Sequence, residues 1–318
     1  MNGSAQTALV IGACEPSSHR AKALLDGALA IPGCRTRFVE LGPGEMLVRS
    51  FEDPELNVAE LSLSNYVRRT AQGNCPYVML PVHIARIFPH SSYYARTDRG
   101  ISDPRDLRGK RIGIGEYEHT IYVWARGLLE DEYGVTPGDV HWVSVVKDAH
   151  AAAHAVTPPG VHIETLRTDA TLSEMLEAGE LDAVISRRAP ECFARGAPSI
   201  KRVIENHEQV AADYLRRTGV FPILHVMGVR RELLQAQPQL ARNVFEAFSK
   251  AKDLAFAAPG NAAAASWEKP VYSYGVGERD RKVLELFLRY HFRQGLSDRP
   301  LDLADLFAPL SMAHYGDA

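Results

Sequence analysis

The residues best equipped for chemistry cluster in Pro81 to Tyr94, PVHIARIFPHSSYY, where one Arg, two His, two Ser and two Tyr join two differently built halves of the chain. The stretch is a candidate both for a cleft wall and for an interdomain crossover. A second concentration is Ser186, Arg187 and Arg188, which close the apolar run LDAVIS. Planar guanidinium forks at a strand end suit a carboxylate, to which each can donate two parallel hydrogen bonds; solvation or pairing with Glu191 is the competing use. Ser62, Ser64 and Asn65 fall where a strand hands over to a helix, and their oxygens can cap it or join its free amides in holding an anion. Ser17, Ser18 and His19 occupy a loop after the first strand, the position at which open α/β sheets bind ligands. His150, His154 and His162 are spaced too irregularly for a metal site.

Stepping outward from these side chains, the elements that must hold them alternate between two periodicities. Thr7 to Ala13 is a continuous apolar run of buried-strand type, and Ala21, Leu24, Leu25 and Ala28 give Arg20 to Leu29 helical spacing. Arg35 to Leu41 and Val58 to Leu63 read as strands, Glu45 to Phe51 and Ser64 to Gln72 as helices. Tyr77 to Leu80 is a further strand, with PVHIAR as the loop leaving it and SSYYAR as the next strand. RIGIG then opens a second α/β unit, with Glu116 to Thr120 as its loop, Thr120 as N-cap, and a helix that Gly134 ends. This pattern predicts two lobes: residues 1–93 with 222–318, and 94–221 inserted, joined by hinge strands near 91–96 and 220–227.

With 318 residues and 46% hydrophobic content, both lobes have ample core. A net charge of −3 and a pI near 6.5 give no electrostatic case for nucleic acid or anionic membranes, so the expected partner is a small molecule. Cys14, Cys34, Cys75 and Cys192 have neither CxxC nor zinc spacing and read as thiols in a reducing compartment. The start MNGSAQTALVIGAC lacks a basic n-region, and no apolar run reaches the roughly 20 residues of a membrane span. A cytoplasmic protein is expected. The C-terminal helices offer a face for a homodimer, although no residue pattern demonstrates one.

Several motifs in consistent order carry a family resemblance. DPRDLRGKRIGI resembles the second-lobe opening of the type II periplasmic-binding-protein fold. ELSLSNY, the RxFxH core of ARIFPH, EYEHTIYVWARGLLEDEYGV, TGVFPILHVMGVRREL, YGVGERDR and RQGLSDRPLDLADLFAP together resemble the 4,5-dihydroxyphthalate decarboxylase family. The resemblance implies an α/β, two-lobe type II periplasmic-binding-protein-like fold, with mixed sheets flanked by helices and a ligand cleft between lobes. It also implies a carboxy-lyase reaction without a cofactor on a small aromatic carboxylate: loss of CO2 from 4,5-dihydroxyphthalate to give protocatechuate. Glu60, Ser62 and Ser64 match the first-lobe motif, Arg86, Phe88 and His90 the crossover motif, Glu116, Tyr117, Thr120 and Trp124 the second-lobe motif, and His225 the returning one. His83 stands where the family pattern has an apolar residue, and Pro89 where it has a basic one.

From this resemblance the expected roles follow. Arg86, with Arg187 or Arg188, anchors the spectator carboxylate; His225 and His90 are candidates for the ring-carbon acid or the phenol's base. Glu116 accepts from a phenolic hydroxyl or orients a histidine. Ser62, Ser64, Thr120 and His19 are substrate contacts, and Tyr117 and Trp124 wall the ring. Two alternatives are a divalent metal held by His83, Glu116 and His225 as Lewis acid, and a binding protein without chemistry on the same fold.

Overall fold

The computed structural model describes residues 6–14, 19–146, 156–258, 272–307, 309–310 and 315. Ser17, Ser18, His150 and His154 lie outside the described residues. The chain divides into two units: residues 1–86, 223–285 and 301–318 form the first, and 87–222 with 286–300 the second.

The first four strands are β1 (Thr7–Cys14), β2 (Cys34–Leu41), β3 (Val58–Ser62) and β4 (Tyr77–Arg86). The second unit contributes β5 (Tyr93–Arg96), β6 (Arg111–Ile114), β7 (His141–Val146), β8 (His162–Arg167), β9 (Ala183–Ile185) and β10 (Ile200–Arg202), and β11 (Ile223–Arg230) returns to the first. The sheet of unit 1 has the order β2-β1-β3-β11-β4. In it β1 runs parallel to β2 and β3, while β11 runs antiparallel to β3 and β4. Ile11, Val58, Leu61 and Val226 have no exposed surface, which is why these strands read as continuous apolar runs instead of alternating ones. The sheet of unit 2 has the order β10-β5-β9-β6-β7-β8, mixed in the same way.

Four expectations are corrected. PVHIAR is not a loop, because β4 runs through Pro81 to Arg86. Proline is tolerated there because β4 is an edge strand whose ladder with β11 is irregular around His225, so no pairing bond requires an N–H at Pro81. The helix expected over 20–29 is only one turn, Lys22–Leu25, closed by Asp26 and by Gly27 at φ +73°. The first lobe, expected to run to residue 93, ends at Arg86, and Tyr93–Arg96 pairs with β9 and β10 in the second sheet. Residues 286–300 belong to unit 2, because Tyr290 packs against Gly127 and Gln294 bonds to Arg126 Nε at 2.8 Å and to the Val123 carbonyl at 2.9 Å.

Gly127 lies within the helix Thr120–Tyr133, whose residues 120–129 are all buried. A methyl group at this position would collide with the Tyr290 ring, itself held by a 2.6 Å bond from its hydroxyl to Asp131. Gly127→Ala is therefore expected to destabilise the protein by about 1–3 kcal/mol in urea unfolding, despite a helix-propensity gain of about 1 kcal/mol. As expected, Gly134 ends this helix in a left-handed conformation at φ +68°. The cysteines form no disulfide. Among the described residues no helix is long and apolar enough to cross a membrane.

Candidate active site

In unit 1 the site begins with an acidic residue in a buried strand. All five residues of β3, VAELS, are buried. Strand alternation puts Glu60 and Ser62 on one face, and the antiparallel register sets His225 directly opposite Ser62, on that same face. His225 Nδ1 and Glu60 Oε1 are hydrogen-bonded at 2.6 Å, and the Cys14 N–H donates to Oε2 at 2.8 Å. Ser50 Oγ bonds the Glu60 carbonyl at 2.7 Å, pinning the backbone beneath. The Glu60 side chain has no exposure, whereas that of His225 retains 20%. With Nδ1 engaged, Nε2 is the nitrogen left for proton exchange. Motif matching named Glu60 without giving it a role; the available signal was a carboxylate inside an otherwise buried run. Ser62 occupies the N-cap of the helix Leu63–Ala71 without making a capping bond, and Ser64 is buried in its first turn.

Arg86 and His83 belong to a second buried cluster of unit 1. Arg86 pairs with Asp280, both side chains having no exposure, and donates to His83 Nδ1 at 3.0 Å and to the Ser273 carbonyl at 3.2 Å. Ser273 Oγ completes the cluster with a 2.6 Å bond to Asp280. Burial works against the Asp280 charge, but His83, Arg86 and the Ser273 hydroxyl together hold its carboxyl below the usual value. Arg86 is thus supplied with a carboxylate by the protein itself. The arrangement does not suit a metal: His83 is fully buried with Nδ1 accepting from a guanidinium. No group of three His, Cys, Asp or Glu among the described residues is placed to hold an ion.

In unit 2 the candidates sort into core and rim. Tyr117 is 1% exposed, lies under the Arg126 guanidinium at 3.6 Å and meets Trp142 edge-on, so it packs the core instead of presenting an open ring face. Arg126 ties the loop to the helix by donating to the Tyr117 carbonyl at 2.7 Å. Trp124 is likewise core, against Phe287 and Tyr290. Thr120 is buried as the first helical residue, and the cap position falls to His119. Glu116 lies 3.5 Å from His119 Nε2, whose ring stacks on Tyr122. Because β6 and β9 are parallel neighbours, the loops carrying Glu116 and Ser186–Arg188 leave from the same end of the sheet. Arg187 and Arg188 are exposed there. Arg188 and Ser186 line a pocket of about 280 Å³ with Val145, Thr171, Ser173 and Pro190. His19, in unit 1, is exposed.

His90 is 2% exposed between the rings of Phe88 and Tyr214. Burial, aided by His207, pushes its pKa down to about 4, and burial, aided by Arg86, does the same to His83. Both are core residues held neutral. Their folded-state values lie below the ordinary 6.5, so the unfolded chain takes up these protons first. Their contribution to stability is complete above pH 6.5 and is lost as the pH falls toward 4, by about 1.4 kcal/mol for each unit separating folded and unfolded values. Urea midpoints measured stepwise across that interval are expected to fall steadily.

The NMT1/THI5 like family matches residues 80–262. A 4,5-dihydroxyphthalate decarboxylase of Comamonas testosteroni is 36% identical over 315 residues, covering 93% of this chain and 95% of that one. Another of that name, from Pseudomonas putida, is 40% identical over 200 residues, covering 62% and 78%. Among solved structures, the periplasmic aliphatic sulphonate binding protein SsuA of Escherichia coli superposes with a TM-score of 0.58 at 14% identity, over 96% of this chain and 92% of that one. This likeness establishes the fold, that of the periplasmic binding proteins with α/β mixed sheets. The match in sequence goes further, for it runs along nearly the whole length of a curated relative, and the chain belongs to the 4,5-dihydroxyphthalate decarboxylase family.

Proposed function

We propose that the protein is a carboxy-lyase that converts 4,5-dihydroxyphthalate to protocatechuate and CO2 without oxidation. The observation that carries this reading is the 36% identity to a decarboxylase along 93% of the chain. The chemistry is self-sufficient. Each substrate carboxylate has a hydroxyl para to it, so the phenolate oxygen can push electron density onto the carbon that bears the carboxylate. Protonation of that carbon is followed by C–C cleavage, which returns an electron pair to the ring as CO2 leaves. One proton replaces one carboxylate, and no redox step occurs.

We assign the proton transfer to His225, whose Nε2 is left available by the bond from Nδ1 to Glu60. Capture of the spectator carboxylate is assigned to Arg187 and Arg188, exposed guanidinium forks in the loop that leaves β9. Glu116 is assigned to a phenolic hydroxyl.

Incubating the purified protein with 4,5-dihydroxyphthalate is expected to release CO2 and protocatechuate in equal amounts, and chelator is expected to leave the rate unchanged. Saturable binding without CO2 would instead favour a solute-binding role, the one that the fold performs in SsuA.

A further inference from the structure

A buried carboxylate is costly to keep without donors, and each oxygen of Glu60 faces a group able to donate: the Cys14 amide at 2.8 Å and His225 Nδ1 at 2.6 Å. The two donors differ in kind. The amide belongs to β1, is fixed in the sheet and can only donate, so it dictates which oxygen faces it and aims the other at the imidazole. The imidazole can in principle donate or accept from Nδ1, and toward a carboxylate oxygen that carries no proton it can only donate. Register supplies the remaining constraint, because β3 and β11 hold the two side chains on one face through an uninterrupted ladder from His225·Ser62 to Val229·Val58.

We propose that Glu60 is a positioning residue for His225: it keeps a proton on Nδ1 in both charge states of the ring and confines every proton that His225 gives or takes to Nε2. The catalytic consequence rests on the decarboxylase reading; the tautomer does not. In the reaction, imidazolium Nε2–H gives its proton to the ring carbon that bears the departing carboxylate. The neutral imidazole left behind keeps its Nδ1 proton on Glu60, and solvent reprotonates Nε2.

Glu60→Gln tests this sharply. The Cys14 amide still requires an acceptor, so the new side chain must turn its oxygen toward Cys14 and its NH2 toward His225. Nδ1 then has to accept, and the ring is driven to the Nε2–H tautomer. With ¹⁵N-histidine-labelled full-length protein, and the His225 signals assigned by their loss in His225→Gln, wild type is expected to show a protonated Nδ1 and, in the neutral ring, an unprotonated Nε2. In Glu60→Gln the two nitrogens are expected to exchange character, with kcat lowered on the order of 100-fold and KM moved less than about threefold. An unprotonated Nδ1 in wild type would overturn the proposal, even if the variant failed to fold. So would a Glu60→Gln protein that lost activity while keeping the wild-type tautomer, or that kept wild-type kcat. Absence of CO2 from wild type would instead overturn the decarboxylase reading, a result separable from the tautomer spectrum.

Discussion

Arg86→Ala is expected to remove about 3–5 kcal/mol of folding stability, because it strands the Asp280 carboxylate in a fully buried position. The same substitution at a substrate anchor would leave the unfolding midpoint nearly in place and raise KM. Denaturant unfolding and substrate saturation on one preparation therefore separate the two roles. The structural role predicts a large loss of stability, with KM unchanged in the folded fraction. Replacing the pair together, as Arg86→Met with Asp280→Asn, is expected to recover much of the loss, since no full charge is then left without a partner. If Arg86→Ala instead unfolded at the wild-type midpoint, the buried pair would contribute little.

His225→Gln is expected to reduce kcat by about 10²- to 10⁴-fold, the usual contribution of a placed acid or base. KM should change little, because His225 is assigned to proton transfer and substrate capture to other residues. Each factor of ten corresponds to about 1.4 kcal/mol of transition-state stabilisation. Glutamine keeps a donor for Glu60 and so protects the buried carboxylate, making the variant a cleaner test than alanine. Wild-type turnover in His225→Gln would remove the residue from the proton path.

How much of this was legible in the sequence depended on range. β1, β3 and the helix Leu63–Ala71 announced themselves through local runs and spacing, and Gly134 through its position after a periodic segment. The Glu60–His225 pair could not be read that way. Its members are 165 residues apart and meet only because β11 returns antiparallel beside β3. The Arg86–Asp280 pair was hidden for a related reason: an arginine that grips a substrate and one that grips a buried aspartate 194 residues away have the same local sequence. The family's apolar preference at the position of His83 was the better guide, since that residue is fully buried. Tyr117 and His90 lie beside loops in sequence but in cores in space, where the guanidinium of Arg126 and the ring of Tyr214 enclose them. Pro81 misled by its punctuation, which marks a turn in most contexts but here marks an edge.

That edge bears on the behaviour of the chain at high concentration. β4 is long, apolar and last in its sheet, the profile of a strand that recruits another chain and seeds aggregation. Several features remove the template. Proline deletes one donor from the outer row, and the Pro81 and Ile84 carbonyls are occupied by the Gly275 amide and the Tyr272 hydroxyl, both at 2.8 Å. What interrupts the ladder beside the candidate active site also denies an incoming strand a regular surface on which to grow.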